Sequence, residues 1–138
     1  MSYDKPLPVP DPESRPFWEA AKAHRLMVQR CASTGEYHFP PTTFCPGTAL
    51  ERPQWVEASG RGKVFSWIVV RHPTPKDVYA DEVPYAVGLI ELEEGCRMTG
   101  NIVGVGVDEI FADMLVQVAF RDVTDEITLP VFEPAKAS

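Results

Sequence analysis

Two cysteines, Cys31 and Cys45, begin similar turns in the first third of the chain. Paired turns of this kind are typical of a zinc ribbon, in which each knuckle normally reads cysteine, two residues, cysteine. Here the positions three residues further on hold Thr34 and Thr48, whose neutral hydroxyls are poor ligands for a cation that prefers thiolate and imidazole. Because two thiolates are too few for a structural site, we expect a degenerate ribbon without zinc.

The state of the two thiols is open at this stage. They are free and partly buried in the simplest interpretation, which needs only packing and hydrogen bonds. A disulfide is the second alternative, which ribbon geometry would allow and a reducing cytoplasm would oppose. A residual metal with His38 as substitute ligand is the third, although His38 lies between Tyr37 and Phe39 in a predicted strand and would have to leave its register.

The sequence contains no recognisable catalytic constellation. A nucleophile needs a base within reach, and His24, His38 and His72 fall near a helix end, in a ribbon strand and beside a proline in a loop. Glycine-rich stretches at 59–62 and 104–106 lack the lysine of a phosphate loop, which favours turn geometry. We therefore predict no catalytic residues and no activity for this chain alone.

Composition and charge narrow the possible partners. A chain of 138 residues is long enough to bury one core. With 13 basic and 20 acidic side chains its formal net charge is -7, so nucleic acid would have to approach against the average field. No apolar window reaches the length of a membrane span, and three cysteines do not suit a secreted disulfide scaffold, so we expect a cytoplasmic protein.

The N-terminal 30 residues are predicted to form an arm and a helix. Prolines at every second position from Pro6 to Pro12 favour an extended arm. The following segment predicts a helix from about residue 12 to 24, with Phe17 on the stripe that docks against the body of the protein. Trp18 lies off that stripe, so the alternatives are that it contacts a partner or that it packs elsewhere on this chain.

The rest of the chain is predicted to be mostly β. A hairpin of strands at 26–31 and 37–39 leads into a ribbon-like segment over 31–58. A further domain at 59–138 contains five strands, with irregular structure between the third and the fourth, which is the pattern of an OB-fold barrel. A five-stranded sandwich is the alternative. The first of these strands is apolar on both faces, as in a barrel strand that is also covered from outside, and a hairpin turn at 93–95 joins the second to the third. The predicted strands of this domain lie at 63–70, 85–92, 97–103, 115–120 and 127–132.

Taken together, several short motifs resemble the zinc-ribbon and OB-fold proteins associated with acyl-CoA metabolism, known as domain-of-unknown-function family 35 (DUF35). The resemblance covers nearly the whole chain in family order, and it departs from the family at Thr34 and Thr48, where cysteine is common. The motifs are Pro12-Glu-Ser-Arg-Pro-Phe-Trp-Glu19, Gln29-Arg-Cys31, Phe39-Pro-Pro41, Cys45-Pro46, Ser59-Gly-Arg-Gly62, Phe65-Ser-Trp67, Val83-Pro-Tyr85, Glu91-Leu92, Gly100-Asn101 and Leu129-Pro-Val-Phe132.

The resemblance implies an N-terminal helix, a rubredoxin-like ribbon and a C-terminal OB-fold. It also implies a non-catalytic subunit that binds a thiolase-like enzyme and helps to hold or shield its acyl-CoA substrate, in the metabolism of lipids, steroid side chains or polyketides. The candidate contacts to the partner or the acyl-CoA are Phe17, Trp18, Tyr37, Phe39, Tyr79, Tyr85 and Asn101.

Two other functions compete with this hypothesis. An OB-fold could bind single-stranded nucleic acid by stacking bases on Phe65, Trp67 and Tyr85. A small thioesterase or hydratase could act on acyl-CoA alone, which the missing acid–base set disfavours.

Overall fold

The structure, a computed structural model, describes residues 5–47 and 50–135. The arm from Lys5 to Pro10 carries no helix or strand, as its prolines predict. Helix α1 (Arg15–Lys22) is shorter than expected at both ends. A turn precedes it, because the Ser14 amide donates to Asp11 Oδ1 at 2.7 Å and the Asp11 amide contacts Ser14 Oγ at 3.1 Å. After α1 the backbone of His24 has a φ of 60°, which ends the helix.

Three short strands form the ribbon. They are β1 (Met27–Arg30), β2 (Tyr37–His38) and β3 (Gln54–Glu57), arranged antiparallel in the order β2-β1-β3. The predicted hairpin is therefore present, with Arg30 opposite Tyr37, and a third strand joins it on the far side of β1.

Five longer strands close into a barrel, which confirms the OB-fold and excludes the open sandwich. The strand order is β4-β5-β6-β8-β7, with one parallel pair between β6 and β8. A single helical turn, α2 (Lys76–Tyr79), lies in the connection between β4 and β5, and a 3-10 turn at Val107–Glu109 lies between β6 and β7. The barrel strands are β4 (Arg61–Val70), β5 (Tyr85–Leu92), β6 (Arg97–Ile102), β7 (Leu115–Asp122) and β8 (Thr128–Pro134).

One hydrophobic core joins the helix, the ribbon and the barrel. Phe17 of α1 and Val28 of β1 belong to the same buried cluster as Val64, Ile90 and Phe132 of the barrel. Helix α1 and the ribbon therefore both pack on the barrel, and this shared core fixes their positions relative to it. Among the described residues, no helix is long and apolar enough to cross a bilayer.

Candidate functional site

The two ribbon knuckles are joined by a disulfide. Cys31 and Cys45 are both buried, and their Cα atoms lie 5.9 Å apart. Of the three alternatives left open by the sequence, the structure therefore has the disulfide, and the simplest prediction of free thiols is wrong. Proximity in space was predictable from ribbon geometry, but bond formation depended on how the knuckles close.

Hydrogen bonds at both knuckles support the same arrangement. Glu51 accepts from the amide and the hydroxyl of Ser33, at 3.1 and 2.6 Å, and so links the second knuckle to the first. Thr34, at a position where the family commonly has cysteine, uses its hydroxyl to accept from the Glu36 amide at 3.2 Å. This threonine therefore closes a turn. Thr48, the other replaced position, lies outside the described residues.

His38 is held close to the disulfide by a buried amide. Its Nε2 lies 2.6 Å from Oε1 of Gln29, so the ring donates from Nε2 and turns Nδ1 towards Cys31, with Nδ1 3.9 Å from Sγ. Gln29 also accepts from the Thr42 amide at 2.8 Å and donates to the Thr42 carbonyl at 3.1 Å. Burial lowers the pKa of His38, which favours the neutral ring.

This donor set does not fit a structural zinc ion. Within the described residues, ligand atoms of Cys31, Cys45 and Glu51 lie within 4.8 Å of one another. Zinc needs four ligands in a closed structural site and binds thiolate sulfur, whereas both sulfurs here are spent in a disulfide. The Glu51 carboxylate is also engaged by Ser33. We therefore assign no functional role to a metal ion in this ribbon.

The histidines do not form a nucleophile–base pair within the described part of the chain. His24 Nε2 lies 3.0 Å from Asp122 Oδ1, and the Thr128 hydroxyl donates to the same carboxylate oxygen at 2.6 Å. Those two contacts lower the pKa of Asp122. Because the hydroxyl contacts the carboxylate and not the imidazole, no base is placed to activate it. The pair instead links the end of α1 to the barrel.

A cleft of about 360 Å³ on the outside of the barrel brings together three of the predicted contact residues. We call it the tyrosine cleft. Tyr79 of α2 and Tyr85 of β5 lie with ring centroids 5.9 Å apart, and Asn101 of β6 donates to the Ala86 carbonyl at 3.2 Å. The volume is in the range of small-molecule sites. Other residues that line it are Pro6, Val87, Ile102, Val103, Leu129 and Val131.

Charged residues stand at the rim of the tyrosine cleft. Lys5 of the arm forms an ion pair with Glu82, and Arg121 of β7 also lines the cleft. The hydrogen bond from Lys5 and, to a smaller extent, the charge of Arg121 lower the pKa of Glu82. The cleft thus offers apolar walls, two phenols, one amide, one carboxylate and basic groups.

A second exposed surface surrounds the middle of β4. The sequence predicts a strand that is apolar on both faces and covered from outside, and Val64 is indeed fully buried towards the core. Ile68, however, is 63% exposed, so the expectation of an outer cover is wrong for the described chain. Phe65 of the same strand, Leu115 opposite Lys63 of β4, and Phe111 in the turn that contacts Val64 are also exposed. We call these four residues the β4 patch; sequence analysis missed it, although the doubly apolar strand was its signal.

Comparison with known proteins assigns the family. A "DUF35 domain-containing scaffold protein" of Methanocaldococcus jannaschii is 36% identical over 111 residues, covering 79% of this chain and 77% of the relative. The chain belongs to the DUF35 family. Family profiles agree: "ChsH2, rubredoxin-like zinc ribbon domain" matches residues 18–47 and "ChsH2, C-terminal OB-fold domain" matches 55–121.

Two further DUF35 relatives are named as parts of enzymes. A solved structure described as "Ltp2-ChsH2(DUF35) aldolase" is 40% identical, has a TM-score of 0.83 and covers 94% of this chain and 100% of its own. A "Probable enoyl-CoA hydratase alpha subunit" of Thermomonospora curvata is 40% identical over 131 residues, or 95% of this chain. This chain spans 40% of the length of that hydratase subunit.

The remaining predicted contacts of this DUF35 chain lie around α1. Phe17 is only 5% exposed and belongs to the core, so the structure removes it from the accessible surface. Trp18 packs edge-on against it, with ring centroids 5.0 Å apart, and is partly buried. Tyr37 and Phe39 are also partly buried against the core. Trp18, Tyr37 and Phe39 therefore stay predictions as partner contacts.

The rings proposed to stack nucleobases do not form one platform. Trp67 lies opposite Gly88 and is packed against the core, whereas Phe65 is exposed on the outside. The guanidinium carbon of Arg97 lies 3.8 Å from the centroid of the Phe65 ring and covers that face. Tyr85 faces Tyr79 in the tyrosine cleft.

Proposed function

We propose that this DUF35 chain is a non-catalytic accessory subunit that binds a thiolase-like enzyme and helps to hold its acyl-CoA substrate. The observation that carries the proposal is the tyrosine cleft, which combines a ligand-sized volume with Tyr79, Tyr85 and Asn101 but no base beside a nucleophile among the described residues. A binding surface of this kind contributes to function when a second protein supplies the chemistry.

The chemistry of the cleft suits part of an acyl-CoA. Apolar walls formed by Val87, Leu129 and Val131 can contact an acyl or pantetheine chain, whose burial is favourable by about 25 cal/mol per Å². Amide groups of pantetheine need hydrogen-bond partners, which Asn101 and the tyrosine hydroxyls supply. Arg121 at the rim matches the negative charge of a CoA phosphate. The acyl group belongs to lipid, steroid side-chain or polyketide metabolism in this proposal.

The names of relatives support a role beside an enzyme. One is described as a scaffold protein, one as an aldolase whose name joins Ltp2 to ChsH2(DUF35), and one as the alpha subunit of a probable enoyl-CoA hydratase. Each of these activities belongs to that relative. The thiolase-like partner and the substrate of the present chain are our proposal.

The proposal is tested with the chain, a thiolase-like enzyme and an acyl-CoA in defined combinations. We expect no acyl-CoA turnover by the chain alone, a stable complex by size exclusion, and a lower KM for acyl-CoA in the complex than in the enzyme alone. Tyr85→Ala should raise that KM by about tenfold with the complex intact, because one ring of the cleft is lost. Phe44→Ala, at a 38% exposed position in the ribbon, is the matched control.

Turnover by the isolated chain would instead support the thioesterase or hydratase. Absence of a complex at tens of micromolar would overturn the accessory function. An unchanged KM in Tyr85→Ala would remove the tyrosine cleft from substrate binding.

A further inference from the structure

We propose that the β4 patch is the docking surface for the partner enzyme, and that the matching surface on that enzyme is apolar at its centre and carries carboxylates at its rim. The inference rests on the proposed function, because it names the surface by which the accessory subunit reaches its enzyme. The patch adjoins the tyrosine cleft, because Ile68 lies opposite Val87 of that cleft, but it is proposed to contact the enzyme and not the substrate.

The patch is formed by three segments that meet outside the barrel. Leu115 of β7 lies opposite Lys63 of β4, next to the buried Val64. The Asp113 amide donates to the Val64 carbonyl at 2.8 Å, which brings the turn that contains Phe111 against the same strand. A register shift between Val64 and Ser66 interrupts the alternation of β4 at Phe65. Residues distant in sequence therefore share one surface.

The exposure of these side chains is high for a small domain. Phe65, Ile68, Phe111 and Leu115 are 47, 63, 59 and 67% exposed. They are four of the eight large hydrophobic side chains that are exposed in the described part of the chain. Contiguous apolar patches of this kind mark interaction sites, because leaving them in water costs free energy that a partner can recover.

The backbone beside the patch is also open on one side. Strand β5 pairs with β4 from Gly62 to Val70, but β7 pairs with it only from Arg61 to Lys63. Within the described chain, the second half of β4 therefore has a ladder partner on one edge alone. Open strand edges can accept a strand or loop from another protein, which adds backbone hydrogen bonds to the apolar contact.

Two arginines at the ends of the β4 patch indicate which charge the partner's surface carries. Arg97 covers the Phe65 ring at one end of the patch, and Arg71 follows the last residue of β4 at the other. Each is paired at 3.5 Å with a carboxylate of its own chain, Arg97 with Glu91 and Arg71 with Asp108. All four side chains are partly or largely exposed, and exposed pairs contribute little to stability. Carboxylates of a partner can replace them.

The same charge balance favours an enzyme over a second copy of the chain as the occupant. Two copies with a formal net charge of -7 repel each other at long range. A partner that lacks this net negative charge avoids that repulsion, and it can still bring single carboxylates to Arg97 and Arg71.

Calorimetric titration of the full chain into the thiolase-like enzyme tests the surface. We expect Ile68→Asp and Leu115→Glu each to weaken binding by about tenfold or more, because each places a charge in an apolar contact. Leu50→Asp introduces the same charge at a 78% exposed position in the ribbon and should bind as the unmodified chain does. Arg97→Glu should weaken binding most at low salt, where charge contacts are least screened. Thermal unfolding of each variant verifies that the barrel is folded.

The outcomes distinguish the two proposals. If the unmodified chain forms no complex, the accessory function and its surface both fail. If it binds and the folded Ile68→Asp and Leu115→Glu variants bind within twofold of it, the surface is wrong and the function stands. If light scattering shows the chain alone to be a dimer that Ile68→Asp dissociates, the occupant is a second copy and the proposed partner surface is overturned.

Discussion

The imidazole of His38 and the side-chain amide of Gln29 are hydrogen-bonded at 2.6 Å, which ties β2 to β1 directly beside the disulfide. Gln29 is 3% exposed and makes two further hydrogen bonds with the backbone of Thr42. One buried amide thereby connects three segments of a ribbon whose donor set does not fit zinc.

Gln29→Ala should lower the free energy of unfolding by about 2–3 kcal/mol, because it removes three hydrogen bonds and leaves partly buried polar groups of Thr42 and His38 without that partner. Urea denaturation measures the change. Gln54→Ala, at an exposed position of β3, is the control and should change the stability by less than about 0.5 kcal/mol. Equal effects in the two variants would contradict the role of Gln29.

Stability should fall as the pH is lowered from neutrality to about 5.5. Burial lowers the pKa of His38 below the ordinary histidine value of 6.5, so the unfolded chain takes up a proton at this side chain more readily than the folded chain. The free energy of unfolding therefore decreases as pH falls through about 6.5 towards the folded pKa. Urea midpoints at pH 7.5, 6.5 and 5.5 should show this trend, and His38→Gln should reduce it.

The comparison is made above about pH 5, where most carboxylates stay ionised. His72→Gln, in an exposed loop, is the control for removal of a histidine. A pH trend that persists unchanged in His38→Gln would assign the dependence to other groups.

Purified protein should contain no stoichiometric zinc and one free thiol. With Cys31 and Cys45 bonded, alkylation of the denatured, unreduced chain should modify only Cys96, and all three cysteines after reduction. Burial raises the pKa of the Cys96 thiol, so its alkylation should be slow in the native protein. Mass spectrometry counts the labels, and elemental analysis measures the metal.

One zinc per chain that is lost in Cys31→Ser would contradict this prediction and direct attention to Glu51 and His38 as further ligands. The disulfide is a further source of ribbon stability, because it closes a loop with a sequence separation of 14. In the chain-entropy treatment, a loop of that size contributes about 3 kcal/mol. Cys31→Ser should lower the stability of the oxidised protein by an amount of that order.

Single-stranded DNA or RNA should not bind at physiological salt. Binding without sequence preference needs a basic groove lined with stacking rings. Here Trp67 packs against the core, and Phe65 is covered by Arg97. Fluorescence anisotropy with a labelled oligonucleotide at two salt concentrations measures the affinity. Micromolar binding that weakens steeply with added salt would contradict this prediction and support the nucleic-acid function.

Local features of the fold were predictable from the sequence. Proline spacing predicted the extended arm, and the glutamates and glycine at 93–95 predicted the hairpin between β5 and β6. Helix α1 was predicted too long, because the reciprocal hydrogen bonds of Asp11 and Ser14 form a separate turn at the proposed start. Helix boundaries depend on such side-chain contacts, which the helix propensities of single residues do not describe.

The tyrosine cleft was predicted in part. The sequence predicts Tyr79, Tyr85 and Asn101 as contact residues. That Arg121 and Lys5 line the same cleft depends on the closure of the barrel and on the position of the arm beside it. The sequence predicts Phe17 both on the helix face that docks against the barrel and among the contacts to a partner. In the structure α1 packs on the barrel and Phe17 is buried, so only the first prediction is confirmed.

The sequence by itself determined the five barrel strands and the single cysteine in each ribbon turn, because these follow from residue type and local periodicity. Only the tertiary structure decided that Cys31 and Cys45 are bonded, that Gln29 holds His38, and that four apolar side chains gather around β4. Each of these depends on strand register and barrel closure, which join residues far apart in the chain. The residue pattern of β4 shows that both of its faces are apolar. Only the assembled barrel shows which of these faces the rest of the chain leaves exposed.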